Sequence, residues 1–538
     1  MMQTSRAQMF TLPQHDLAVQ CAHSGGIRRP HEGQCPVPSP GHDTGMRPDS
    51  TAGLASPRAD CSCQSSDTTD DLRKRASWVS RRMRCSIESR RGPAAGFYRG
   101  RLSVRRLRAT VVVVLVGLLA SAGAAPAVQA EVKSSSYIVM LGPGARTPVQ
   151  TRSAVARRAG QVGAAPEHIY THALEGFSAR LTGSEAQALA ADPGVAAVVP
   201  DYQVQSRSLC AEPIAAPCEP TGVLRIGRPG GQSHPDLSAM NVAVIDSGVN
   251  TTHPDLNVVG GTSCTSSPGF DDADGHGTHV AGALAATGTT GLTGVAPGAR
   301  IWSVRVLDSQ GMGSLSDIIC GIDWVTGTRT DADPNNDIAV ANMSLGSAGS
   351  DDGACGTKNH DPFHQAVCSA TDSGVLIVAA TANLARPMSM DVPDAYDEVL
   401  SVTAMADYDG KPGALGGVRC QSGLGRDDSF ATFSDYAEKA DREHTIAAPG
   451  VCILSSWSGG GYAMLSGTSM ASPHVAGTAV LCIASGDCPP SDPAGTIAKL
   501  RADARIYARA HPARGFRGDP AHQVAGKYFG FLVKDTVY

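Results

Sequence analysis

An α/β layered fold with a mostly parallel central sheet, preceded by a smaller α+β unit, is what this sequence predicts, and three observations predict it. Residues 242–245, 301–306, 338–340 and 375–380 are short, nearly continuous apolar runs, the pattern of strands buried on both faces. Helical stretches at 278–286 and 315–324 alternate with them, and strand, helix, strand alternation over this length builds a parallel sheet between helices. Residues 136–205 follow instead a compressed β-α-β-β-α-β order, which gives an open sheet with two helices on one face.

From the N-terminus, 538 residues allow about three units at roughly 150 residues each. Residues 1–108 carry 18 Lys and Arg against 9 Asp and Glu, whereas residues 210–538 carry 20 against 35. An acidic body lacks the clustered cations that phosphates require, which excludes nucleic acid as a partner. Residues 1–100 have no sustained period and are crowded with Arg, Ser, Pro and Gly. They read as an unstructured leader, or as a start assigned upstream of true initiation at Met83 or later. In residues 101–130, Arg105, Arg106 and Arg108 precede an apolar run at 111–120 and a small-residue tail ending at Ala130, the layout of a secretory signal. The run falls short of the roughly 20 residues of a spanning helix, so secretion without stable membrane association is expected.

The small unit, bounded at 134–206, takes strands at 137–140, 176–181 and 195–199 and helices at 153–160 and 184–191. A Pro- and Cys-containing linker at 209–220 leads to the main domain at 222–486. An extension at 487–538 follows, with a helix at 494–510 and an apolar end at 528–533. Ten of the fifteen cysteines fall in the body, and an even number behind an export signal suggests disulfides. Short spacing favours Cys355 with Cys368 and Cys482 with Cys488. The body has no Cys-x-x-Cys, so no structural zinc site is expected.

Three segments set a reactive side chain among small residues: Val244-Ile245-Asp246-Ser247-Gly248, Asp274-Gly275-His276-Gly277-Thr278-His279, and Gly467-Thr468-Ser469-Met470-Ala471. An Asp, a His and a Ser are what nucleophilic acyl transfer needs. A hydroxyl is a poor nucleophile until an imidazole takes its proton, and a carboxylate must hold that imidazole's tautomer and stabilise its cation. Taken singly, Asp246 could be a turn residue and Ser469 a helix cap. His276 with its neighbouring acids could be a metal cluster, but the loop has neither EF-hand spacing nor His-Glu-x-x-His. Gly467–Ala471 is not Gly-x-Ser-x-Gly, and here the acid and base precede the serine, unlike in α/β-hydrolases.

With all three blocks in one order, residues 226–484 resemble the subtilisin-like serine proteases. The resemblance implies a three-layer domain hydrolysing polypeptides through an acyl-enzyme. It makes Asp246 the orienting acid, His276 the general base and then acid, and Ser469 the nucleophile. It also implies an oxyanion donor at Asn383 and a substrate-pairing segment at Ser344, Leu345 and Gly346. Ala382 stands where the family usually has glycine. If that position needs a positive φ, strain there would misplace the Asn383 amide, and a peptide-binding module with little activity is the rival reading. Residues 136–205 resemble the family's propeptide, an intramolecular inhibitor and folding chaperone, with self-cleavage expected between Gln205 and Gly222. No cofactor is required. Asp255 matches a calcium ligand of some relatives, so calcium stays open, and the enzyme is expected to be a monomer.

Overall fold

The computed structural model describes residues 133–144, 146–209, 212–214, 220–227 and 235–538. The expected leader and signal, with Cys210 and Cys218, lie outside the described residues. The first unit runs β1 (Ser135–Leu141), α1 (Pro148–Val162), β2 (Pro166–Tyr170), β3 (Gly176–Leu181), α2 (Gly183–Ala190) and β4 (Val195–Pro200). Both helices start at capping boxes, Thr147 with Gln150 and Thr182 with Glu185, each closing two otherwise open backbone N–H groups. The strands form one antiparallel sheet in the order β2-β3-β1-β4. Alternation along β1 sends Val139 and Leu141 toward Val155 of α1 and Leu189 of α2, while Ile138 and Met140 face the other way, into the core of the body.

The chain continues through β5 (Gln203–Ser206), β6 (Glu212–Ile214), α3 (Thr221–Ile226), β7 (Asn241–Asp246), β8 (Val258–Ser263), α4 (His276–Ala285), β9 (Arg300–Arg305), β10 (Met312–Ser314) and α5 (Leu315–Thr328). Next are β11 (Val340–Met343), β12 (Leu345–Ala348), α6 (Pro362–Asp372), β13 (Leu376–Ala380), β14 (Asp391–Val392), β15 (Leu400–Ala406) and β16 (Ser429–Phe430). The last are β17 (Thr445–Pro449), β18 (Ile453–Trp457), β19 (Gly461–Leu465), α7 (Thr468–Ser485) and α8 (Pro493–Ala510).

The central sheet has the order β16-β15-β13-β11-β7-β9-β8, with β17 beside β15, and every pairing is parallel except β15 with β16. Val242 and Val244 of β7 pack with Val280 of α4 and Val475 of α7. Ala243 and Ile245 turn to the opposite core, with Ile318 of α5 and Phe363 of α6. One strand thus feeds two helical layers, the three-layer α/β arrangement expected. Because the strands are parallel, β7, β11 and β13 end on one edge, where Asp246, Ser344 and Asn383 follow or close them.

Four disulfides form among the described residues: Cys264–Cys320, Cys355–Cys368, Cys420–Cys452 and Cys482–Cys488. The two local pairs are those that spacing favoured. Beyond α8 the apolar end docks on the sheet margin, with Leu532 bridged to Ala447 and the Phe529 ring stacked on Phe430. No helix among the described residues is long and apolar enough to cross a membrane.

Candidate active site

Asp246 is the last residue of β7 and is fully buried. Its Oδ1 accepts from the Ser247 N–H at 2.7 Å and pairs with His276 Nδ1 at 2.7 Å. His276 opens α4, at the end of a loop shaped by Asp272, whose carboxylate accepts from the N–H groups of Asp274, Gly275 and Thr278 and from Ser247 Oγ. Asp271 accepts from Thr251 N–H and Oγ1. These acids therefore build the loop by capping it. His279 points away, with Nε2 on the carbonyls of Ile453 and Ala463, and burial pushes its pKa down to about 3. For His276, burial lowers the pKa, but the Asp246 charge and hydrogen bond, with Asp274 and Asp272 behind, outweigh it and hold the imidazole above its ordinary value. Its Nε2 is buried and has no partner.

Ser469 is the second residue of α7, and its backbone N–H is one of the open donors of that helix's first turn. The hydroxyl donates to Ser344 O at 3.1 Å rather than to His276. The structure thus joins Asp246 to His276 directly and sets Ser469 with Asn383, without a hydrogen bond closing the chain of three. Asn383 is oriented from its acceptor side, because Oδ1 accepts from Thr468 N–H at 3.0 Å and Thr468 Oγ1 at 3.0 Å. Its Nδ2 donates to Arg207 O at 2.8 Å, and the Ser469 N–H donates to the same carbonyl at 3.2 Å. Ala382 is not among the residues with positive φ; the left-handed residue of this turn is Ala385, at φ 56°. The strain expected at Ala382 is absent.

The carbonyl in that cradle belongs to the chain's own segment. β5 pairs antiparallel with β12 on one side, Leu345 with Ser206 and Gly346 with Gln205, and with β10 on the other. The Arg207 N–H continues the ladder onto Ser344 O at 3.1 Å, and beyond the bend Leu209 N–H donates to Ser466 O at 2.8 Å. Ser344, Leu345 and Gly346 thus pair with residues 205–207 of the chain itself. Gly467 makes the approach feasible, since a Cβ there would lie 2.6 Å from Arg207 O and 2.9 Å from Ser208 Cα.

Sequence reasoning missed the side-chain end of this contact. Arg207 is 6% exposed, with Nη1 donating to Asp394 Oδ1 and Ala380 O, both at 2.5 Å, and Nη2 to Val392 O at 3.1 Å. Asp394 lies in a loop with no motif, and only an acid near a strand end hinted at it. The Asp255 site is filled by the protein: Thr290 N–H and Oγ1 and the Tyr462 hydroxyl all donate to its carboxylate, at 2.8, 2.5 and 2.9 Å. Those donors engage both carboxylate oxygens within the protein.

Residues 238–492 match the subtilase family and residues 136–207 match the peptidase inhibitor I9 family. An alkaline protease of Alkalihalobacillus alcalophilus is 36% identical over 308 residues, covering 57% of this chain and 68% of that protein. Subtilisin Savinase of Lederbergia lenta is 38% identical over 265 residues, 49% of this chain and 83% of that protein. Among solved structures, a cold adapted subtilisin-like serine proteinase is 26% identical, covers 59% of this chain and 97% of that one, and has a TM-score of 0.44.

Proposed function

The chain belongs to the subtilase family, a serine endopeptidase made as a proprotein, and from that premise we propose that Asp246, His276 and Ser469 are its catalytic residues. Two observations support this reading: the Arg207 carbonyl accepts from both Ser469 N–H and Asn383 Nδ2, and Asp246 Oδ1 is paired with His276 Nδ1. Ser469 Oγ turns from Ser344 toward His276 and attacks the carbonyl carbon while Nε2 takes its proton. The partnerless Nε2 is the acceptor this step needs. Asp246 stabilises the imidazolium at Nδ1, and the two N–H donors take up the charge on the oxygen. Nε2–H then protonates the leaving amine, an ester remains on Ser469, and a water activated by the same imidazole releases it.

Ser344, Leu345 and Gly346 hold substrate through backbone pairing, which tolerates many sequences. Residues 134–207 act as the propeptide and 101–130 direct export, and the enzyme works outside the cell as a monomer. The chemistry needs no metal. Labelling with a fluorophosphonate probe tests this: the label is expected on Ser469 and absent from Ser469→Ala, which should accumulate as the uncut precursor. A labelled Ser469→Ala chain, or an unlabelled wild type, would overturn the assignment.

A further inference from the structure

We propose that Asp394 makes the cleft selective for arginine at the residue supplying the scissile carbonyl, so that the enzyme cuts its own chain between Arg207 and Ser208 and cuts other polypeptides after arginine. This rests on the reading of Ser469 as nucleophile and adds the substrate class to it.

The backbone defines which bond is presented. Arg207 O lies on both proposed oxyanion donors, its N–H lies on Ser344 O, and Leu209 on the far side pairs with Ser466. Hydrolysis there breaks the Arg207 C–N bond to Ser208 and forms the ester on Ser469 Oγ. The hydroxyl proton passes through His276 to the Ser208 amine, and water then restores the hydroxyl.

The pocket beneath Arg207 offers acceptors. Its polar contacts are the Asp394 carboxylate and the carbonyls of Ala380 and Val392. Asp394 is fully buried, its Oδ2 has no hydrogen-bond partner, and among the described residues its one ion pair is with Arg207. Arg386, on the same loop, is engaged by Asp391 through Nε at 3.0 Å and Nη2 at 2.9 Å. Burial pushes the Asp394 carboxyl up to about 6 even against the pull of the Arg207 guanidinium. Once residues 203–207 leave, a buried carboxylate and two carbonyls face an empty pocket. An apolar side chain would leave the Asp394 carboxyl without the donor that Arg207 supplies, the arrangement that discriminates most strongly between substrates. A planar guanidinium satisfies the carboxyl and the two carbonyls from separate nitrogens. Gly346 fits the same reading, because a Cβ there would fall 1.8 Å from Arg207 Nη2 and 2.2 Å from Cζ. The wall is bare where the guanidinium passes.

The test uses the matured full-length enzyme and peptides copying residues 203–209, with Arg, Lys, Leu or Phe at position 207. The mature chain is expected to begin at Ser208. The Arg peptide is expected to exceed the Leu and Phe peptides in kcat/KM by about 10²-fold or more, the scale of leaving a buried polar group without its partner. p-Aminobenzamidine, an arginine mimic, should inhibit competitively. Asp394→Asn should collapse the Arg-to-Leu ratio by a similar factor. Because that variant must also mature, it is made alongside Arg207→Leu/Asp394→Asn, in which the processing residue suits the altered pocket. Every preparation is titrated with the fluorophosphonate. An enzyme labelled on Ser469 that cuts Leu or Phe peptides as well as Arg, or that starts elsewhere than Ser208, overturns this inference and leaves the nucleophile standing. An unlabelled enzyme that cuts no peptide overturns both.

Discussion

Asn383 is held by what it accepts as much as by what it donates. The Thr468 N–H and hydroxyl fix its Oδ1, which aims Nδ2 at the Arg207 carbonyl oxygen. Asn383→Leu removes that donor together with the acceptor of the Thr468 N–H and hydroxyl, and kcat is expected to fall about 10²–10³-fold with a much smaller change in KM. Steady-state kinetics on one peptide checks this, and a loss confined to KM would make Asn383 a binding residue. The adjoining turn carries its strain at Ala385, where φ is 56°. A left-handed non-glycine residue costs about 1–2 kcal/mol, partly offset by the larger unfolded-state entropy of glycine. Ala385→Gly should therefore raise stability by about 0.5–1 kcal/mol, whereas Ala382→Gly should lower it by about as much, both read from denaturant midpoints. His276 acts as a base only while neutral, so activity is present above its pKa and disappears as pH falls through it. Because the Asp246, Asp274 and Asp272 charges raise that pKa against burial, the acid limb of kcat/KM should lie above the ordinary histidine value. Departure of the propeptide lessens burial, the lowering influence, and leaves the direction intact. Asp274→Asn should shift the limb to lower pH, and an unmoved limb would assign it to another group.

At the scale of elements, α5 is the grip between the propeptide and the body. Asp201 accepts from Ser316 N–H at 3.1 Å and Ser316 Oγ at 2.7 Å in its first turn, where a negative charge also suits the helix dipole. Two turns on, Asp323 accepts from the N–H groups of Thr171, His172 and Ala173 at 2.9, 2.6 and 2.7 Å. Hydrogen bonds to a charged acceptor contribute about 1.5–3 kcal/mol, so Asp323→Ala should speed propeptide release by about 10–10²-fold after cleavage. Gel filtration or the lag before peptidase activity measures this, and an unchanged lag would leave the hold to apolar contact alone. Elements that bury their own side chains were legible in the sequence: β7 and β13 as apolar runs, and α8 almost to its ends. β2 and β5 were not named. Pro166-Glu167-His168-Ile169-Tyr170 starts on proline and alternates weakly, while Gln203–Ser206 buries only Val204 and is a strand because β10 and β12 pair with its backbone. The site divides the same way. Asp246, His276, Ser469 and Asn383 sit in local motifs, whereas Asp394 acquires meaning only beside Arg207, 187 residues earlier.

Across the whole molecule, the propeptide and body share a core, since Ile138, Met140 and Tyr170 pack with Ile318, Ile319 and Ile322 of α5. The same helix is tied to the edge of the central sheet by Cys264–Cys320, which follows β8 and spans 56 residues, whereas Cys482–Cys488 closes only 6 at the end of α7. If cross-links act by restricting the unfolded chain, their contributions scale with the loop they close, giving about 4 kcal/mol for the first and about 2.2 kcal/mol for the second. The comparison is best made in Ser469→Ala, where self-digestion cannot distort the unfolding curve. Cys264→Ser/Cys320→Ser should lose roughly 2 kcal/mol more than Cys482→Ser/Cys488→Ser in denaturant unfolding. The longer link also joins the layer that the propeptide grips, so its loss should slow maturation when Ser469 is restored, while loss of the shorter one should not. Equal losses from the two pairs would mean that local packing around each bridge, rather than chain entropy, sets what it contributes, and the maturation rates would then follow stability alone.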